Sequence, residues 1–297
     1  MNAPVNAIVP EGYSENLQRL AIGFEALDPV RGGRVGWPLR FEVEGPPPRP
    51  PADRREPYRR IVRRGQARPV VDRHDSCLYA LLYQPHLTPR TIPPDVEPPL
   101  VPGDPLTTID LRIYERSRRF VPRRFRLPIL PTADAEARPY QDRVRRPALY
   151  PGAAYDLSAR STGLRGRVLR GGVPMRWARV EATLDGTATI VGRAHGDDRG
   201  EFLLVLAPSA ASPVELVDPL PIRVTVSAPD PAPVPATPLL PGQDPLWDLP
   251  VEILPAPGAL DPVSSGEALP AGYTLTSTRI VPFRLGRLIS TADFVFA

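Results

Sequence analysis

The chain has 297 residues, room for two ordinary domains, and 42% of them are apolar, so packed cores are possible. Proline, at 43 residues, is roughly three times its usual ~5% share, which excludes long helices because proline lacks the amide donor and clashes with the preceding turn. All 37 basic residues are arginine and the net charge is +4; a single cysteine excludes an intramolecular disulfide, and no apolar run approaches the roughly 20 residues of a membrane-spanning helix.

In chain order, the opening MNAPVNAIVPEGYSENLQ has neither a basic n-region nor an apolar h-region, so no signal peptide is expected and the protein is expected to be cytoplasmic at synthesis. Strands are predicted at 17–28, 38–44, 58–64, 76–83, 107–115 and 124–130, where β-branched and aromatic residues alternate with polar ones. They resume at 163–169, 176–184, 187–194, 201–207, 221–228 and 249–254, and the tail 273–296 reads as two or three more. Between them run Pro-rich connections at 44–57, 92–105, 207–221 and 228–245. They are expected to be loop insertions within sandwiches more than joints between domains.

The fold class expected is therefore all-β, built from antiparallel sheets with one face buried. Pattern and charge both change across 142–162. Residues 1–150 hold 25 arginines against 18 acids, and 151–297 hold 12 against 15. The division expected is an Arg-rich sandwich at 1–145, a linker at 146–162 and a second sandwich at 163–297. A faint repeat supports two copies of one unit. PLRFEVE (38–44) parallels PMRWARVE (174–181), each shortly after an RGG, and RHDSCLYALL (73–82) parallels GDDRGEFLLV (196–205).

The stretch AHGDDRGEFLLVL (194–206) crowds five ionisable side chains into seven positions and could be a site or a turn. Asp197 or Asp198 can accept a backbone N–H two residues on, Gly200 can supply φ > 0, and Phe202, Leu204 and Leu206 fall on one strand face. A solvated hairpin turn is the reading those residues favour. Gly166 and Val168, Pro174, Ala178 and Val180, then Asp197, Gly200 and Phe202 together resemble the carboxypeptidase regulatory-like, or prealbumin-like, domain family over roughly 165–228. The resemblance implies Ig-like β-sandwiches in tandem. It departs from the family pattern at Gly196, and in the N-terminal copy Cys77 stands where the turn glycine would be.

Catalytic chemistry finds little support. The three histidines, His74, His86 and His195, begin no H-x-x-E pair, and a catalytic zinc needs about three protein ligands plus a base. No nucleophile elbow, P-loop or dinucleotide fingerprint is present. No enzyme, cofactor, metal, small-molecule substrate or membrane role is expected. The expected function is that of a structural or adaptor protein whose partners are protein subunits of a larger assembly. The family resemblance implies in addition a place in a phage-tail-like contractile injection particle, which could be released from the cell. Candidate interface residues are Arg59, Arg60, Arg63, Arg64, Arg118, Arg119, Arg123 and Arg124 in two Arg-rich, aromatic-studded runs, with Phe294 and Phe296 at the apolar terminus. The alternative is a nucleic-acid-binding module using the same arginines.

Overall fold

The computed structural model describes residues 19–44, 71–83, 107–130, 134–135, 137–207, 218–230 and 244–296. The strands are β1 (Arg19–Phe24), β2 (Leu27–Asp28), β3 (Gly33–Arg34), β4 (Arg40–Val43), β5 (Val71–Arg73), β6 (Tyr79–Tyr83), β7 (Thr107–Tyr114), β8 (Arg123–Ile129) and β9 (Val144–Arg145). There follow β10 (Gly163–Arg170), β11 (Val173–Pro174), β12 (Arg179–Leu184), β13 (Ile190–His195), β14 (Glu201–Val205), β15 (Leu220–Ala228), β16 (Val251–Ile253), β17 (Leu275–Phe283), β18 (Leu288–Ser290) and β19 (Phe294–Phe296). The protein is all-β, as its proline content and alternation demand. The predicted strand at 58–64 lies outside the described residues.

Two sandwich-like units result. In the first, the sheet β5-β6-β1-β9 covers the sheet β16-β8-β7-β4. Phe24, Leu81, Leu111, Ile113, Phe125 and Leu127 fill the space between them, each almost wholly buried. In the second, β10 carries β14 and β11 on one side and β18 and β19 on the other, over the sheet β13-β12-β15-β17. Its core holds Leu164, Val168, Val224, Val226, Phe283 and Phe294.

The units repeat one topology. A hairpin leads from β2 to β3 in the first and from β10 to β11 in the second. It is closed by Val35 N–H to Ala26 O (2.9 Å) in one and by Met175 N–H to Val168 O (2.8 Å) in the other. β4, β7 and β8 lie side by side in the order that β12, β15 and β17 repeat. β1 pairs antiparallel with β6 and parallel with β9; β10 likewise pairs antiparallel with β14 and parallel with β18 and β19. The copies differ at their sheet edges: β5 pairs with β6 whereas β13 pairs with β12, and β16 lies beside β8.

The stretch expected to link the halves is built into them. β9 runs directly into it, Ala148 bridges Leu27, and Pro151 bridges Phe120, while Leu149, Tyr150 and Tyr155 are buried. β16, from the C-terminal half of the sequence, returns to the first unit and runs parallel to β8. β14 is apolar on both faces: Phe202 and Leu204 enter the second core while Leu203 and Val205 enter the first. That is why EFLLV lacks the alternation of a half-exposed strand. A third cluster of Val121, Trp177 and Leu249 fills the seam.

Candidate functional site at the junction of the sandwiches

The charged stretch that could have been a site is a turn. Asp197 Oδ1 accepts the amides of Arg199 (2.8 Å) and Glu201 (3.0 Å), and Gly200 holds φ +72°. A Cβ on Gly200 would sit 2.7 Å from Val168 O, so the position excludes any side chain. Phe202 then lies over Gly166, where a Cβ would overlap its ring. Asp198 leaves the turn to pair with Arg118 at 3.1 Å, across the seam.

The equivalent turn in the first unit has the same form with other residues. Cys77 N–H reaches His74 O at 3.0 Å and His74 N–H reaches Leu78 O at 2.8 Å, as Gly200 reaches Asp197 and Asp197 reaches Glu201. His74 Nδ1 accepts the Ser76 amide (3.2 Å), as Asp197 accepts that of Arg199. Cys77 takes φ +62° despite its side chain. An imidazole thus replaces the carboxylate and a cysteine the glycine, without changing the turn.

The arginines expected at an interface are placed as follows. Arg59, Arg60, Arg63 and Arg64 lie outside the described residues. Arg118 pairs with Asp198; Arg119 faces Glu115 and stacks on Trp37, 5.2 Å from its centroid; Arg124 pairs with Glu44 at 2.5 Å. Arg123 is 1% exposed and forms a two-pronged pair with Glu252, adding bonds to the carbonyls of Ala148 (2.8 Å), Val263 (2.7 Å) and Ser264 (2.5 Å). Phe294 and Phe296 point into the second core. Arg123, Phe294 and Phe296 are therefore not open to a partner, because the strand period turns each of them inward.

Around Arg123 the fold assembles a buried polar cluster that no motif announced. Arg179 on β12 shares Glu252, at 2.9 Å, and lies 5.3 Å from the Tyr273 ring centroid. The Tyr273 hydroxyl donates to Trp177 O at 2.7 Å, and burial pushes its pKa up to about 12. Trp177 is wholly buried at φ +64°, and its Nε1 donates to Asp248 (2.9 Å), which Arg176 also pairs at 2.9 Å. Burial raises the Asp248 pKa against those two partners. Glu252 reads in the sequence only as an acid in an apolar strand, and nothing nearby names its partners.

His195 sits beside this cluster, 3% exposed, its ring 4.1 Å from that of Tyr150 and its Nδ1 without a hydrogen-bond partner among the described residues. Burial, with Arg179 and Arg123 adding to it, holds the imidazole pKa well below its usual 6.5. His195, Arg179, Ser227 and Thr276 form one cross-strand row over β13, β12, β15 and β17. A cavity of about 310 Å³ opens there between the sheet and residues 263–269. His195 and Ser227 are two strands apart, a separation of about 9–10 Å, well beyond the reach of a nucleophile–base hydrogen bond. Among the described residues no group of three or more His, Cys, Asp or Glu is placed to hold a metal.

No family model matches the chain and no curated protein matches it. Among solved structures, a 9R-lipoxygenase from Cyanothece PCC8801 aligns with 48% of this chain and 18% of its own at 12% identity, with a TM-score of 0.23. A likeness of that size carries no argument about fold or activity.

Proposed function

We propose that this protein is a non-catalytic structural or adaptor component of a larger protein assembly. The observation that carries the reading is the seam. A strand, β16, crosses from one half of the chain to the other half's sheet, and its Glu252 joins an arginine from each unit. Such a connection fixes two sandwiches as one rigid spacer, which suits a part that sets distances between other subunits. The ionisable residues that first suggest chemistry are consumed by turns and internal ion pairs. His195, whose imidazole is strongly perturbed, has no nucleophile in reach among the described residues.

The narrower reading, a component of a phage-tail-like contractile injection particle, rests on the resemblance over 165–228. Among the described residues no helix is long and apolar enough to cross a membrane. The nucleic-acid alternative is weakened because Arg118, Arg119, Arg123 and Arg124 each pair with a carboxylate of the chain itself. Mild purification of the tagged protein from its native cells, with sizing and mass spectrometry, tests the reading. Recovery in a defined multi-protein particle supports it, and recovery as a lone monomer overturns it.

A further inference from the structure

The repeat places β17 where β8 stands in the first unit. β8 has neighbours on both sides: β7 pairs with it antiparallel, and β16 fills its other edge in parallel. β17 pairs with β15 along nine residues, and among the described residues no strand pairs with its other edge. The direction of its backbone groups can be fixed. Pro221 O accepts the Asp185 amide, so Pro221 faces β12, and its partner Pro282 faces away from β15. Alternation then turns Thr276, Thr278 and Ile280 outward as well. Their three amides and four carbonyls, counting that of Pro282, form an open ladder, and Pro282 ends the row of donors because it has no N–H.

The turn beyond the end of this edge is rich in exposed arginines. The turn after β17 is closed by Arg287 N–H to Arg284 O (3.2 Å), and both side chains are exposed. The exposed Arg160 belongs to the segment beside this turn, its carbonyl lying 3.8 Å from where a Cβ on Gly286 would be. Arg160, Arg284 and Arg287 pair with no carboxylate among the described residues. Beside the ladder Ile280 is 52% exposed.

We propose that the outer edge of β17 takes up an extended segment of a partner protein, running parallel to β17 and acidic at its C-terminal end. The direction follows the β16–β8 pair, in which the chain itself fills the equivalent edge. Main-chain bonds to Thr276, Thr278 and Ile280 supply the pairing, and Arg160, Arg284 and Arg287 select the acid. An apolar side chain of the segment covers Ile280. This deepens the adaptor reading, on which it rests, by naming the surface and the chemistry of what it holds.

The test titrates the full chain with a short peptide of alternating Val and Thr ending in two Asp residues, followed by residue-resolved amide exchange. Exchange should slow at Thr276, Thr278 and Ile280. A peptide with its Asp pair at the N-terminal end should bind about tenfold more weakly, the size expected of rim charges. The double variant Arg284→Glu/Arg287→Glu changes only exposed side chains, so it folds, and it should abolish that preference. Unchanged exchange at the three amides overturns the proposal. So does their protection without peptide as protein concentration rises, which would assign the edge to a second copy of this chain. Because the peptide is defined, these outcomes stand apart from the purification test: a particle that forms while the edge ignores the peptide leaves the adaptor reading intact.

Discussion

The two sandwiches share a topology but are completed differently. The first borrows β16 from the far half of the chain, and so gains a buried Glu252 that pairs with both Arg123 on β8 and Arg179 on β12. The second is closed by its own tail, β18 and β19, and leaves β17 open among the described residues. The same backbone plan thus serves as a locked half and an accepting half. Beyond the placing of β5 and β13, what separates them is one three-residue strand and one acid.

Removing that acid should have the largest effect on stability. Glu252→Ala strands the guanidinium of Arg123, whose side chain is 0% exposed, and breaks the contact to Arg179. Breaking a buried pair from one side costs about 3–5 kcal/mol. Urea unfolding should show that loss and, with the lock gone, two transitions in place of one.

The paired turns give a contrast of opposite sign. Gly200→Ala forces a Cβ to within 2.7 Å of Val168 O at φ +72°, and should cost about 2 kcal/mol by the strain of a left-handed residue plus the clash. Cys77→Gly relieves a left-handed side chain at φ +62° and should stabilise by up to ~1 kcal/mol. Equal effects at the two sites in thermal unfolding would break the equivalence of the turns.

His195 lies on β13 of the second unit and should give the protein a pH dependence. In the unfolded chain its pKa is near 6.5; in the fold burial and two arginines hold it well below. Between those values the unfolded state binds a proton that the native state does not. Stability is therefore retained above about pH 6.5 and falls below it, by at most ~1.4 kcal/mol per unit. The variant His195→Phe should lose this slope when urea midpoints are compared between about pH 7.5 and about pH 5. A slope unchanged by the substitution would contradict the assignment.

The smallest effect belongs to Arg118→Ala. Its partner Asp198 is reached at 3.1 Å by a side chain that is 52% exposed, so the loss should stay below about 1 kcal/mol.

Much of the fold was legible. The alternation of Ile109, Leu111 and Ile113 marks β7, and the proline content excludes long helices. The turn at 197–201 was readable because its parts are local: an acid, a glycine and an aromatic at fixed offsets. Its twin was harder, since His74 and Cys77 fill the same roles with unlike chemistry. The seam was not legible, because it joins residues far apart: Arg123 and Glu252 are separated by 129 positions. Two-residue strands such as β9 are set by neighbouring backbone and leave no period to read. The apolar terminus DFVFA reads in the sequence as a candidate interface, yet β10 supplies the edge beside which Phe294 and Phe296 are buried.

The most direct test of the central claim, that the two sandwiches form one locked unit, is native-state amide hydrogen exchange in increasing urea, resolved by residue. The slowest amides of β7 and β8 should open with the same free energy as those of β12 and β15, and should shift together as urea rises. Two separate opening energies in the intact chain, one for each sandwich, would show that the halves fold independently and that Glu252 does not join them.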